Sequence, residues 1–461
     1  MDYSYNNAAL WNSIIQLGII ALSLLVANIL RRKVKFFRNS LLPTAAIAGF
    51  LILILRAAGI LKVDMEFMEL LIYHGIALGF IAMALRIPTG VKEEKGNLVG
   101  LKSGAVIIGS YLIQGIFGLA ISIGLAYTFM PDMFKAAGII LPMAYGQGTG
   151  QANNVGATYE AAGFIGGRSF GLSLAAAGYL CACIVGVVVL NILDKQGKIK
   201  RANQVDIAEA VTVESFQDKN EIPFSESLDR FTVQMGLVFM VYLATYLCTW
   251  GITWALHAYL PAVDKLLSAL LWGFNFIGGT ALAILTRVVV NKLTKVKIMT
   301  RQYQNNYLLS RMSGLFFDVM IVAGIAAIDI EDLSGLWVPF ILMAVVGGVI
   351  TWYYLKLVCR KVYKDYYYEG LFSMYGMMIG PISSGILLLR EIDPNFDTPA
   401  ANNLISGSSY AIILGAPLLV LIGMAYKSTL MTFITLGLIV VYFLLINLLI
   451  FKAHRRGSHN N

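Results

Sequence analysis

The run AYGQGTGQANN at residues 144–154 interrupts an apolar stretch that extends from residue 136 to residue 164. Three glycines in five positions, 146 to 150, allow the chain to turn tightly and let a ligand approach the backbone. Non-helical backbone at membrane depth persists only where protein groups or a water-filled cavity satisfy its polar atoms. The pattern therefore predicts a re-entrant hairpin that lines a binding site. An exposed loop of ordinary turn residues is the alternative.

The polar side chains of this run carry no formal charge and suit either a carboxylate or a sodium ion. A helix that starts near Gln151 would direct its unpaired amide groups and its dipole at a negatively charged ligand. The run is not a nucleotide-binding loop, because it lacks the lysine of the GxxxxGK[ST] motif. Predicted substrate ligands are Gln147, Thr149, Gln151, Asn153 and Asn154. Predicted sodium ligands are Gly146, Gly148 and Thr149.

A second apolar stretch, residues 368–389, is interrupted by GMMIGPISSG at residues 376–385. Pro381 excludes a continuous helix, and two serines supply hydroxyl groups. We predict a second re-entrant hairpin here, although glycine, serine and proline are also frequent where membrane helices simply pack. Predicted contacts from this part of the chain and the following span are Ser383, Ser384 and Asn403 with substrate, and Gly380 and Ser383 with sodium.

The composition of the chain indicates a membrane protein. Of its 461 residues, 58% are hydrophobic and only 13% are charged, whereas soluble domains contain about 25% charged residues. Apolar runs of about 20 residues recur, and each is long enough to cross a bilayer about 30 Å thick. The four cysteines have the spacing of neither a disulfide framework nor a zinc site. The predicted spans are residues 8–30, 41–58, 70–85, 105–129, 172–193, 231–256, 266–286, 307–328, 337–357, 403–425 and 429–451.

Basic clusters between the spans predict the orientation of the chain. The net charge of +9 lies largely in these short clusters, which is typical of cytoplasmic loops and not of nucleic-acid binding. Basic loops alternate with non-basic loops only if the first hairpin enters and leaves the membrane from the outer side and the second enters and leaves from the inner side. This arrangement predicts an outside N-terminus and an inside C-terminus.

The same arrangement predicts an all-α membrane protein with two inverted five-helix repeats, each with a re-entrant hairpin, and one extra C-terminal transmembrane helix. Broken segments at corresponding positions of two inverted halves indicate the binding site of a secondary transporter. The predicted segments are a first repeat at 1–194 with its hairpin at 136–164, a cytoplasmic linker at 195–230, a second repeat at 231–426 with its hairpin at 368–389, and the extra span with a basic tail at 427–461.

Asp318 lies midway along the eighth predicted span. A charge within a span is costly, so it is a functional candidate. We predict that Asp318 ligates sodium or a substrate ammonium group; an ion pair with another helix is the alternative. Arg311 lies seven residues earlier, on nearly the same helical face. No metalloprotease motif or nucleophile elbow is present, so we expect no enzyme activity, no cofactor and no metal beyond sodium as coupling ion.

These motifs resemble those of the bacterial sodium/glutamate symporter family over about residues 8–426. The resemblance is carried by Pro43-Thr44 and Ala48-Gly49 in the second span, by the glycine-rich run of the first hairpin followed by Gly163-Phe164, and by the glycines of the second hairpin. Gln147 stands where the family has a histidine. The resemblance implies two inverted repeats, sodium-coupled glutamate uptake, an elevator-like movement and a homodimer in the bacterial cytoplasmic membrane.

The leading hypothesis is sodium-coupled import of glutamate or a related small carboxylate or amino acid, in contact with membrane lipid and without nucleic acid. An ion channel is the first alternative, because re-entrant loops also form selectivity filters. A transporter of another organic anion with a different coupling ion is the second. A membrane enzyme is the third, and the lack of a catalytic motif argues against it.

Overall fold

The structure is a computed structural model, and it describes residues 3–4, 7–39, 42–87, 98–199, 229–299, 301, 303–380, 382–393 and 397–455. Regular structure in these ranges is helical, and they contain no β-strand. Short 3-10 helices at Lys135–Ile139 and Glu331–Leu333 precede α6 and α13. In chain order the α-helices are α1 (Ala8–Lys33), α2 (Lys35–Asn39), α3 (Thr44–Ala57), α4 (Met65–Leu85), α5 (Val99–Ala126), α6 (Ile140–Gln147), α7 (Thr149–Ala161), α8 (Gly167–Lys195), α9 (Arg230–Tyr259), α10 (Pro261–Gly273), α11 (Asn275–Lys295), α12 (Asn306–Ala326), α13 (Trp337–Val362), α14 (Tyr367–Ile379), α15 (Ile382–Arg390), α16 (Ala400–Ala425) and α17 (Thr429–Arg455).

Ten of the described helices are long and apolar enough to cross a membrane. They are α1, α4, α5, α8, α9, α11, α12, α13, α16 and α17. Large apolar side chains cover their outward surfaces; Leu22 and Leu25 of α1, for example, are each 63% exposed. Such surfaces are unfavourable in water but match the hydrocarbon of a bilayer. The chain is therefore a multi-pass, all-α membrane protein, as the composition predicts.

Two predicted spans differ from the structure. The predicted span at 41–58 contains α3, which has only 14 residues and is about 21 Å long, shorter than the hydrocarbon core. The predicted span at 266–286 is wrong, because α10 ends at Gly273 and α11 begins at Asn275. Phe274 between them has non-helical angles, φ −116° and ψ 36°. A hydropathy profile does not reveal this break, because Phe274 is as apolar as the residues of a membrane-spanning helix.

Both predicted interruptions are present as helix–break–helix segments. The first consists of α6 and α7, with 8 and 13 residues. The second consists of α14 and α15, with 13 and 9 residues. None of the four helices exceeds about 20 Å in length, so none crosses a 30 Å hydrocarbon layer alone.

Residue contacts divide the chain into two compact units. Unit 1 comprises Met1–Glu69, Lys95–Ile207 and Ile321–Asn461, and it contains both broken segments. Unit 2 comprises Leu70–Glu94 and Ala208–Met320. The predicted inverted repeats describe a symmetry of the chain, which a division by residue contacts does not test, so they stay a prediction. Most of the predicted linker, residues 200–228, lies outside the described residues. The core of unit 2 is formed by Leu78, Ile81, Ala82, Leu85, Val238, Val241, Ala283, Leu309 and Met312.

Within unit 1, α5 packs against α6, α13, α16 and α17. Its backbone touches the start of the first broken segment, where Gly118 meets Gly138 and a Cβ on either residue would overlap the other's backbone. The Ser122 hydroxyl donates to the Lys135 carbonyl at 2.7 Å, and the Gly138 amide donates to the Ser122 hydroxyl at 3.2 Å. These contacts fix the entry of the first segment onto α5.

Candidate functional site

The first break lies at Gly148, between the end of α6 and the start of α7. Gly148 has φ 76° and ψ −164°, a conformation that is essentially restricted to glycine. The Tyr179 hydroxyl of α8 lies only 3.0 Å from the position that a Cβ on Gly148 would occupy. Both the backbone angles and the crowding require glycine here. The amide of Gly148 donates to the Ala144 carbonyl at 3.1 Å and closes the last turn of α6.

Tyr111 of α5 holds the end of α6 in place. Its hydroxyl donates to the Gly146 carbonyl at 3.0 Å, one of the four carbonyls at a helix end that have no partner within the helix. The side chain of Gln147, half-buried at the end of α6, lies beside the same hydroxyl. A carbonyl oxygen has two lone pairs, so Gly146 can accept this bond and still contact a cation.

The first turns of α7 present buried polar side chains. Thr149, Gln151, Asn153 and Asn154 are between 0% and 8% exposed. Both amide atoms of Gln151, and the side-chain oxygen of Asn153, have no hydrogen-bond partner among the described residues. A buried polar atom without a partner costs about 1–3 kcal/mol. The unpartnered Gln151 amide thus lies at the positive end of the α7 dipole, where an anion is favoured.

The second break follows Ile379, where Gly380 is extended with φ −155° and ψ −173°. Ser384 in the first turn of α15 is 3% exposed, and its hydroxyl has no partner among the described residues. That hydroxyl lies 2.8 Å from the position of a Cβ on Gly380. Ser383 lies on α15, but its side chain is outside what the structure describes, as is Pro381. The backbone thus brings Gly380 and Ser384 together.

The two breaks meet at one turn of α8. Gly178 lies against the Ile379 carbonyl at the end of α14 and against the Tyr145 ring of α6. The next residue, Tyr179, lies against Gly148. In addition, α6 packs directly on α14. Two segments that are more than 200 residues apart in sequence therefore approach each other at α8 inside unit 1.

Asn403 occupies a different position from the other predicted substrate ligands. It is 7% exposed on α16, and its amide donates to the Tyr366 hydroxyl at 2.6 Å. Tyr366 precedes α14, so this contact is about 20 Å from the break at the other end of that helix. Burial raises the pKa of Tyr366, and the bond from Asn403 offsets part of this increase. Asn403 thus fastens the start of the second segment.

Asp318 belongs to unit 2, whereas both breaks belong to unit 1. Its side chain is exposed on α12, and no ion pair of Asp318 occurs in the described part of the chain. Arg311 is exposed on the same helix and lies over the Tyr307 ring, 5.1 Å from the ring centre. Whether Asp318 ligates sodium or pairs with another helix therefore stays a prediction.

Charged residues surround the far end of the first segment. The backbone amide of Arg168, at the start of α8, donates to the Glu160 carboxylate at 2.9 Å. The Arg168 guanidinium forms an ion pair with Glu69 of α4. The Ser169 hydroxyl donates to the Asp332 carboxylate at 2.8 Å. These contacts attach the end of α7 to α8 and to the start of α4.

Comparisons with known proteins do not identify the chain: no known family model matches it, and no curated protein matches it at a significant level.

Proposed function

We propose that the protein is a secondary transporter that imports glutamate or a related small carboxylate or amino acid together with sodium. The observation that carries the proposal is the meeting of two broken membrane segments at one turn of α8, with the unpartnered Gln151 amide at the start of α7. Half-helix ends that meet inside a bundle are the usual binding sites of secondary transporters.

The pattern of helix packing supports the predicted inverted repeats. The repeats would pair α5 with α13, α6 and α7 with α14 and α15, and α8 with α16. Exchanging the members of these pairs preserves the observed contacts: α5 packs against α16 as α13 packs against α8, α5 contacts α14 as α13 contacts α6, and α6 contacts α8 as α14 contacts α16. Such exchange is expected if the two halves share one fold.

The direction of each half-helix suits an anion and a cation in one site. The start of α7 is a positive dipole end for a carboxylate, and the ends of α6 and α14 are negative ends for sodium. In this assignment Gln147, Thr149, Gln151, Asn153, Asn154 and Ser384 face the substrate, with Ser383 as a further candidate. Asn403 stays a predicted substrate contact, although it lies at the other end of α14. The carbonyls of Gly146, Gly148 and Gly380, with Thr149 and Ser383, are the candidate sodium ligands in unit 1. Asp318, in unit 2, is a separate candidate sodium ligand.

The surroundings of the protein follow from the resemblance and the loop charges. We place the chain in the cytoplasmic membrane of a bacterium as a homodimer, with the N-terminus outside and the C-terminus inside. No cofactor and no enzyme activity belong to this proposal.

Reconstituted vesicles test the function. We expect saturable uptake of labelled glutamate, or of a competing dicarboxylate, into proteoliposomes under an inward sodium gradient. Matched vesicles with equal sodium on both sides, or with choline outside, should show only exchange or leak. Equal uptake with and without the gradient would exclude sodium coupling. Electrical conductance far above transporter turnover would instead identify a channel.

A further inference from the structure

Gln114 lies in the middle of α5, completely buried, and bridges two other elements. Its amide nitrogen donates to the Thr351 hydroxyl of α13 at 2.8 Å and to the Met378 carbonyl of α14 at 2.9 Å. Both hydrogens of the amide are therefore used. One side chain links the first half of the chain to the last turn of the second broken segment.

The orientation of this amide is fixed by its partners. The Thr351 hydroxyl donates to the Gly347 carbonyl at 2.6 Å, so its oxygen is available only as an acceptor for Gln114. The Met378 carbonyl can only accept. A flipped amide would place oxygen against the Met378 oxygen and lose both bonds. The nitrogen of Gln114 therefore faces both partners, and its carboxamide oxygen, on the same planar amide, is bonded to neither.

That oxygen has no hydrogen-bond partner among the described residues, although it is buried. The Ser384 hydroxyl and the Tyr375 hydroxyl share this property, and both adjoin the last two turns of α14. Ser384 lies beside Gly380, which is also close to the Gly376 carbonyl. Buried oxygens without a partner in the described part of the chain thus occur on α5, α14 and α15, and that of Ser384 lies beside Gly380 at the end of α14.

The chemistry of these groups selects a cation. Every atom concerned is an uncharged oxygen, and the end of α14 carries the negative end of a helix dipole. The two hydroxyls can donate as well as accept, but the Gln114 oxygen can only accept, and the negative dipole end disfavours an anion there. Divalent cations usually require carboxylates, whereas neutral oxygens suit a monovalent cation such as sodium.

We infer that Gln114 contributes its carboxamide oxygen to the sodium site at the end of α14. This inference rests on the proposed function and adds a ligand from α5, which lies outside both broken segments. Because the same amide holds Met378 and Thr351, sodium bound at its oxygen would strengthen the junction between α5, α13 and α14.

Sodium titration of thermal unfolding tests the inference on the purified full-length protein without substrate. Choline chloride at equal ionic strength is the control. In Gln114→Met, which keeps the length but removes the oxygen, we expect the sodium concentration for half-maximal stabilisation to rise about tenfold or more, as is usual when a contact between a charge and a dipole is lost. In Gln114→Glu a second oxygen replaces the amide nitrogen that donates to Thr351 and Met378, so this variant should be less stable than the parent without sodium. Saturating sodium, which pairs with the added charge, should stabilise it at least as strongly as it stabilises the parent protein.

Thr351→Val is the matched control, since it removes one partner of Gln114 but leaves the carboxamide oxygen. Its sodium half-saturation should stay within about twofold of the parent value, even if its unfolding temperature falls. If Gln114→Met unfolds at a lower temperature but keeps the parent's sodium half-saturation, Gln114 is only a structural link and the inference fails. If Gln114→Met does not fold, weaker sodium stabilisation in Gln114→Glu than in Thr351→Val overturns it. If sodium stabilises neither the parent protein nor its uptake, the proposed function fails as well.

Discussion

Replacing Gln151 by leucine should stabilise the protein and weaken substrate binding at the same time. Both amide atoms of Gln151 are buried and have no partner among the described residues, and each such atom costs about 1–3 kcal/mol. Leucine removes both atoms at similar volume, so we expect unfolding to become less favourable by at least about 1 kcal/mol. The bond to a charged substrate group, about 1.5–3 kcal/mol, is lost. That loss corresponds to about a 10- to 150-fold weaker affinity.

The assay pairs two measurements on detergent-purified protein: thermal unfolding without substrate, and binding of labelled glutamate in sodium. Gln16→Leu is the matched control, because Gln16 is a buried glutamine of α1, 5% exposed, with an unpartnered side-chain oxygen. It should change stability without changing affinity. A Gln151→Leu protein that is less stable than the parent and binds substrate with unchanged affinity would contradict the proposed role of Gln151.

Three further substitutions test the geometry around the site. Gly148→Ala forces a side chain into a glycine-only conformation at a cost of about 1–3 kcal/mol, so substrate binding should weaken severalfold. The control Gly59→Ala, at a position with φ 71° and open space around it, should lower stability alone. Equal affinity in the parent and in Gly148→Ala would contradict the proposed role of the break. In Gly138→Ala the added Cβ overlaps the backbone of α5, so the free energy of unfolding should fall by about 1–3 kcal/mol or more. In the control Gly124→Ala the added Cβ meets nothing within 4 Å, so this variant should be neutral or slightly stabilising in the same thermal assay. Asp318→Asn should raise the sodium concentration for half-maximal uptake in proteoliposomes, and an unchanged value would remove Asp318 from the sodium ligands.

The sequence predicted the features that depend on local chemistry. The clustered glycines around 148 and the Gly380-Pro381 pair disfavour a continuous helix, so the positions of both interruptions could be predicted from the sequence. The break at Phe274 was missed because an apolar residue at a helix end leaves no mark in hydropathy. Contacts across the chain were also missed.

The role of Gln114 depends on Met378, 264 residues away, and no local pattern specifies such a partner. The available signal was a single amide side chain within the apolar run of α5. Such a side chain is unusual in a membrane helix and predicts a hydrogen-bond partner on another helix. Tyr111 and Tyr179 gave no comparable signal, since tyrosine is common in membrane proteins. Their partners could be found only from the tertiary structure.

The bond between Gln114 and Met378 also has a consequence for biosynthesis. Ribosomes add about 5–20 residues per second, so the 264 residues that separate the two partners take roughly 13–53 s to synthesise. During that interval α5 is already made, but Met378 is not, and Thr351 follows Gln114 by 237 residues. The newly inserted first half must shelter this polar group with water, lipid headgroups or an insertion factor.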